Sequence, residues 1–144
     1  MSFYSPSPLK RATKTVTFTG AANLGAVGNV PIFTVTGEVA VVLFAPTCTV
    51  NLGEAAPTAT IALGVTSKTT FFVAATTATD IDAGDVWFTI TPDINAIAIP
   101  TGFKDIWCTE NIIGTVAAQN VNAGAIRFDL WWMPLSSDGN VVAA

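Results

Sequence analysis

Apolar and polar positions alternate along much of this chain, most clearly near its end. In Gly124-Ala125-Ile126-Arg127-Phe128-Asp129-Leu130-Trp131-Trp132-Met133-Pro134-Leu135, the side chains of Ile126, Phe128, Leu130 and Trp132 share one face of a strand. Ala125, Arg127, Asp129, Trp131 and Met133 share the other. The first face has no polar atom except an indole N–H, so it belongs on a core. The second face mixes a charged pair with a Trp and a Met. Water-facing surfaces rarely carry Trp beside Met, and the interior of one domain does not welcome Arg beside Asp. Subunit interfaces favour Trp, Met and Arg and can pair Arg with a carboxylate. The pattern predicts a surface that meets another chain.

The same alternation recurs upstream. Residues 14–20 place Thr opposite Val16 and Phe18, a strand with Thr outward. Residues 20–29, with Gly20, Gly25 and Gly28, read as a turn region and lack the Gly-Lys-Ser/Thr of a phosphate loop. Residues 30–36 alternate again, and Pro31 predicts an edge strand or a strand start. Residues 38–45 are almost continuously apolar, which predicts a strand buried on both faces, ended by Pro46. Residues 50–57 read as a loop, and residues 58–64 and 68–74 as a hairpin. Residues 75–85 read as a polar loop. Residues 86–91 read as a strand with Val86, Phe88 and Ile90 on one face and Trp87 on the other. A short apolar stretch at 97–99, two strand-like segments at 105–113 and 114–118, a turn at 120–124 and a small-residue tail at 141–144 complete the chain. No window holds a 3.6-residue period. The pattern predicts an all-β fold: a β-sandwich or jelly roll of about eight short antiparallel strands. Residues 1–12 form an extended N-terminal arm, set by Pro6 and Pro8, and residues 13–144 a single sandwich domain.

Composition sharpens the interface prediction. The chain has 144 residues, of which 51% are hydrophobic and only 11% charged. Ordinary soluble domains carry roughly 25% charged residues. No apolar run approaches the roughly 20 residues that span a bilayer, so a membrane partner is not expected. Thr supplies part of the wet surface, and burial between copies supplies the rest. The net charge of −4 argues against nucleic acid as a partner. Lys10, Arg11 and Lys14 are half of all basic residues, and no acid precedes Glu38. A basic arm tipped by Phe3 and Tyr4 has two readings: an anchor on a neighbouring protein, or a solvated tail. Residues 1–8 lack the basic and apolar regions of a secretion signal, which predicts synthesis in the cytoplasm.

Catalytic chemistry is sparse. The chain has no His, which removes Ser–His and Cys–His pairs and the commonest general base. Cys48 and Cys108 follow or end apolar runs and read as buried free thiols, with a bridge between them the alternative. Asp80, Asp82 and Asp85 offer three carboxylates within six residues. They suit a hard cation but lack the downstream Glu of an EF-hand, and Asp and Gly are ordinary turn builders. No catalytic residue, cofactor or metal is expected. The four tryptophans, Trp87, Trp107, Trp131 and Trp132, read as core and interface packing, with a sugar-stacking platform the alternative. The candidate interface set is Phe3, Tyr4, Lys10, Arg11, Arg127, Asp129, Trp131 and Met133.

Several motifs carry a resemblance. They are Phe18-Thr19-Gly20, Leu24-Gly25-Ala26-Val27-Gly28, Pro31-Ile32-Phe33-Thr34-Val35-Thr36-Gly37-Glu38-Val39, Ala78-Thr79-Asp80-Ile81-Asp82-Ala83-Gly84, and the ending from Pro134 to Ala144. Across roughly residues 15–144 the sequence resembles small virion-associated structural proteins of tailed bacteriophages, similar in kind to capsid decoration (cement) proteins. That resemblance implies a non-enzymatic protein at the capsid surface. It implies the major capsid protein as partner, and self-association as a homotrimer. A tail, baseplate or head-fibre component that binds a host glycan is the alternative.

Overall fold

The computed structural model describes residues 9–54, 56, 58–94 and 98–144. These residues form nine strands: β1 Lys10–Thr17, β2 Gly28–Thr36, β3 Val39–Glu54, β4 Thr60–Val65, β5 Lys68–Thr77, β6 Lys104–Cys108, β7 Ile112–Ala117, β8 Val121–Pro134 and β9 Asn140–Ala143. They make two antiparallel sheets, β1-β8-β3-β6 and β5-β4-β7-β2-β9. This is the β-sandwich that the alternation predicts. Inward side chains of both sheets meet in one core, including Val16, Phe33, Val41, Phe44, Ile61, Leu63, Ile112, Phe128 and Leu130. Phe44 is its hub. Its ring lies 4.9 Å from that of Phe72, 6.0 Å from Phe103, 6.1 Å from Phe128 and 6.3 Å from Phe33.

β3 corrects the sequence prediction in two ways. It does not stop at Pro46 but runs on to Glu54, through residues read as a loop. The reason lies in which side Pro46 faces. Its carbonyl accepts from Trp87 N–H at 2.9 Å, on the side away from β8. In an extended strand the N–H and C=O of one residue point the same way. The missing donor is therefore on that side too, and no bond to β8 is lost. β3 is also not buried on both faces: Val39, Val41, Phe44 and Cys48 are buried, while Ala40, Val42, Leu43 and Ala45 are half-buried. β8 begins inside the predicted turn at 120–124. It passes Gly124 at φ +99°, where a Cβ would lie 2.4 Å from the Asn51 carbonyl oxygen, so only glycine fits this bulged crossing.

Two devices close the sides of the sandwich. On the β1 side, Lys14 Nζ donates to the Pro31 carbonyl at 2.7 Å and the Ala144 carbonyl at 2.5 Å. It thereby ties the first sheet to β2 and the end of β9. The predicted tail at 141–144 is thus largely β9, in register with β2 from Phe33 to Thr36. Pro31 lies in an interior strand, at a register shift and before the β9 pairing begins, where its absent N–H costs no ladder bond. On the other side, the long crossover between β5 and β6 packs Ile81, Trp87 and Phe103 into the core. Trp87 Nε1 donates to Thr76 Oγ1 on β5 at 3.0 Å. The strand predicted at 86–91 is instead an isolated bridge at Val86, with Trp87 buried and Ile90 exposed. The break predicted at Gly114 falls at residues 109–111, and Gly114 sits inside β7. The stretch at 97–99 lies partly outside the described residues.

Because Phe44 touches four other rings, Phe44→Ala should destabilise the domain by about 3–5 kcal/mol. Chemical unfolding followed by Trp fluorescence reads this directly. A loss below about 1 kcal/mol would mean that the core repacks around the cavity.

Candidate interaction surface

The outer face of the β1-β8-β3-β6 sheet collects most of the predicted interface residues. Register sets the rows. Arg11 faces Trp131, which faces Leu43. Met133 faces Ala40, which faces Trp107. Thr13 faces Asp129, which faces Ala45. One end of this face is therefore apolar, and the other carries charge and threonine. Lys10 departs from the prediction. It alternates with Arg11, points to the opposite side, and its Nζ sits 5.2 Å from the centre of the Trp132 ring. β1 begins at Lys10, so residues 10–12 belong to the sheet. Phe3 and Tyr4 lie outside the described residues.

Asp129 is the electrostatic centre of the face. Its side chain is only 5% exposed, with Arg11 Nη2 at 2.5 Å on one oxygen and Arg127 Nε at 2.9 Å on the other. Burial alone would raise its pKa. Hydrogen bonds from Arg11, Thr13 and Arg127 outweigh that and hold it below the usual carboxylate value. The charged pair is thus satisfied within the chain and does not by itself require a partner. Two half-exposed guanidiniums share one carboxylate, which leaves a unit of positive charge on the face. Arg11 also lies over the Trp131 ring, 5.3 Å from its centre, and Trp131 and Met133 remain half-buried.

Trp107 is the residue missing from the candidate set. It is 70% exposed, the most exposed of the large apolar side chains described. Cys108 packs into the core and Ile106 against it, so alternation along β6 turns Trp107 outward, a signal present in the sequence. Beside it opens a cleft of about 230 Å³ lined by Phe71, Trp107, Ser67, Lys68, Thr109 and Glu110. Glu110 is held in place by Ser67, whose N–H and Oγ donate to its two oxygens at 2.8 and 2.7 Å.

The predicted chemistry-bearing residues serve turns and packing. Asp85 Oδ2 accepts from Asp82 N–H at 2.9 Å, which closes the turn. Among the described residues no group of three His, Cys, Asp or Glu is placed to hold a metal ion. Cys48 and Cys108 are buried and unpaired. Burial pushes the Cys48 thiol up to about 11 and raises that of Cys108, so neither is a ready nucleophile near neutral pH.

No known protein family and no curated protein matches the chain. Among solved structures, its fold is similar to that of a chain in the "Cyanophage Pam1 capsid asymmetric unit". The TM-score is 0.57 at 16% sequence identity, over 92% of this chain and 89% of that one.

The ion-pair geometry predicts a defined acid sensitivity. The folded pKa of Asp129 is depressed, so its stabilisation is present above the unfolded value of about 3.9 and disappears as pH falls through the lower folded value. Asp129→Asn should flatten that part of the stability profile in urea unfolding between pH 3 and pH 6. Arg11→Ala with Arg127→Ala leaves a carboxylate with little exposure without its cations and should cost about 2–3 kcal/mol at neutral pH. Either single variant should cost about 1–2 kcal/mol. A double variant as stable as the parent would show that Asp129 finds water instead.

Proposed function

We propose that this protein is a capsid decoration protein of a tailed phage, which stabilises the head by bridging major-capsid subunits as a homotrimer. The observation that carries this reading is the fold likeness to a chain of a cyanophage capsid assembly. It runs over about nine-tenths of both chains, so the likeness is between whole chains of similar length. The surface supports it. A sheet face bearing Trp107, Leu43, Met133 and Trp131 with an Arg–Asp–Arg cluster has the composition of an assembly interface. Many weak contacts per copy, summed over linked copies, give firm attachment without one strong site. The role is structural, and the protein resides on the capsid surface after synthesis in the host cytoplasm.

A second reading is favoured by one observation. Trp107 and Phe71, 70% and 41% exposed, stand beside a cleft with polar Ser67, Lys68, Thr109 and Glu110. Such an arrangement suits stacking on a sugar ring, as in a head-fibre or tail component that binds a host glycan.

Copy number separates the two. Quantitative mass spectrometry of purified virions should find on the order of hundreds of copies for a decoration role, and release of the protein should lower the temperature at which heads rupture. A tail-like count of a few copies would overturn it. In the glycan case, sugar addition should shift the Trp fluorescence of the parent and not of Trp107→Ala.

A further inference from the structure

Charge is unevenly placed around one sheet of this molecule, although Lys104 at the start of β6 adds one cation beside the acidic side. On the β1 flank stand Lys10, Arg11 and Lys14 of β1 and Arg127 of β8, four of the six basic residues, with Asp129 as the acid among them. The opposite flank is the far edge of β3. Past the end of β6 that edge is covered by the crossover, through Gly84 N–H to the Cys48 carbonyl, Cys48 N–H to the Asp85 carbonyl and Trp87 N–H to the Pro46 carbonyl, each 2.9 Å. Residues 78–94 of the crossover contain Asp80, Asp82, Asp85 and Asp93 and no basic residue.

The acidic flank is also greasy. Ile94 is 64% exposed. It lies against Gly84, whose added Cβ would be 3.3 Å from Ile94 Cγ2, beside the Asp82–Asp85 turn. Ile90 and Val50 are exposed as well. An exposed aliphatic side chain beside an acidic turn pairs the two ingredients of an interface, an apolar centre and polar neighbours. The other flank offers the complement: Leu9 exposed at the start of β1, followed by Lys10 and Arg11.

We infer that the acidic crossover flank of one copy docks against the basic β1 flank of a second copy. Leu9 covers Ile94, and Lys10, together with the net positive charge that Arg11 and Arg127 leave beside Asp129 on the other side of the sheet edge, faces Asp80 and Asp82. The two surfaces are different, so the contact is head-to-tail, and repetition closes a ring when the rotation between copies permits. This deepens the proposed decoration role by assigning the self-contact, and it rests on that role only for the number of copies in the ring.

The test uses the full chain and sedimentation equilibrium. The parent should form a closed oligomer whose dissociation constant weakens at least about tenfold between 0.05 and 0.5 M salt. Lys10→Glu alone, or Asp80→Lys with Asp82→Lys, should weaken association by about tenfold or more. The chain carrying all three changes should recover it. These side chains are exposed, and circular dichroism should confirm folding in each variant. A monomeric parent, a salt-insensitive oligomer, single-flank variants of unchanged mass, or no recovery in the combined variant would each overturn the contact. An intact, salt-sensitive oligomer that is absent from virions would remove the capsid role and leave the contact standing.

Discussion

The fold depends on one long pairing between strands far apart in the chain, β3 and β8. From Val39 facing Pro134 to Glu54 facing Val121 they form the spine of the first sheet, and their inner side chains include Phe44 and Phe128, stacked in the core. The rest of the first sheet attaches to its two outer edges, and the second sheet packs on its inner face. β1 takes the free edge of β8. β6 and then the crossover take the free edge of β3. Such non-local pairing pays its loop-closure entropy before most contacts form, so the sheet edges and the core are expected to form together. Pro46 shows how tightly the sequence is fitted to this spine. It stands mid-strand and costs no β8 bond, because its donor-less side faces the crossover, where its carbonyl is what is needed.

Sequence pattern revealed the local parts well. The inward faces of β8 and β2 and the β4–β5 hairpin follow from period-2 alternation and turn residues. What failed had a common cause. Proline at Pro46 and glycine at Gly114 and Gly124 read as breaks, and the small residues at 141–144 as a tail, because their local tendencies disfavour strands. Partners elsewhere in the chain overrode those tendencies. Alternation puts Trp87 opposite Val86, Phe88 and Ile90 without saying which side is buried; the crossover there is not a regular strand, and the indole lies inward with its N–H on Thr76. Of the candidate surface, Arg127, Asp129, Trp131 and Met133 could be grouped from one strand. That Arg11 reaches Asp129 could not, since 118 positions separate them and only register brings them together.

The internal satisfaction of Asp129 changes where binding energy on this surface has to come from. A charged pair completed within the chain gives little further stabilisation to a partner. The apolar row of Trp107, Met133, Leu43 and Trp131 has more to gain from leaving water, at roughly 25 cal/mol per Å² buried. Charge then acts on orientation more than on affinity. With six basic and ten acidic residues in the whole chain, and four of the basic ones at the β1 flank of the sheet, two copies meeting by a twofold axis at that flank, rather than by the proposed self-contact, would set like charge against like. In a chain so poor in charge, the placement of the few ions it has would, under the proposed contact, favour one mode of meeting among copies over the symmetric ones.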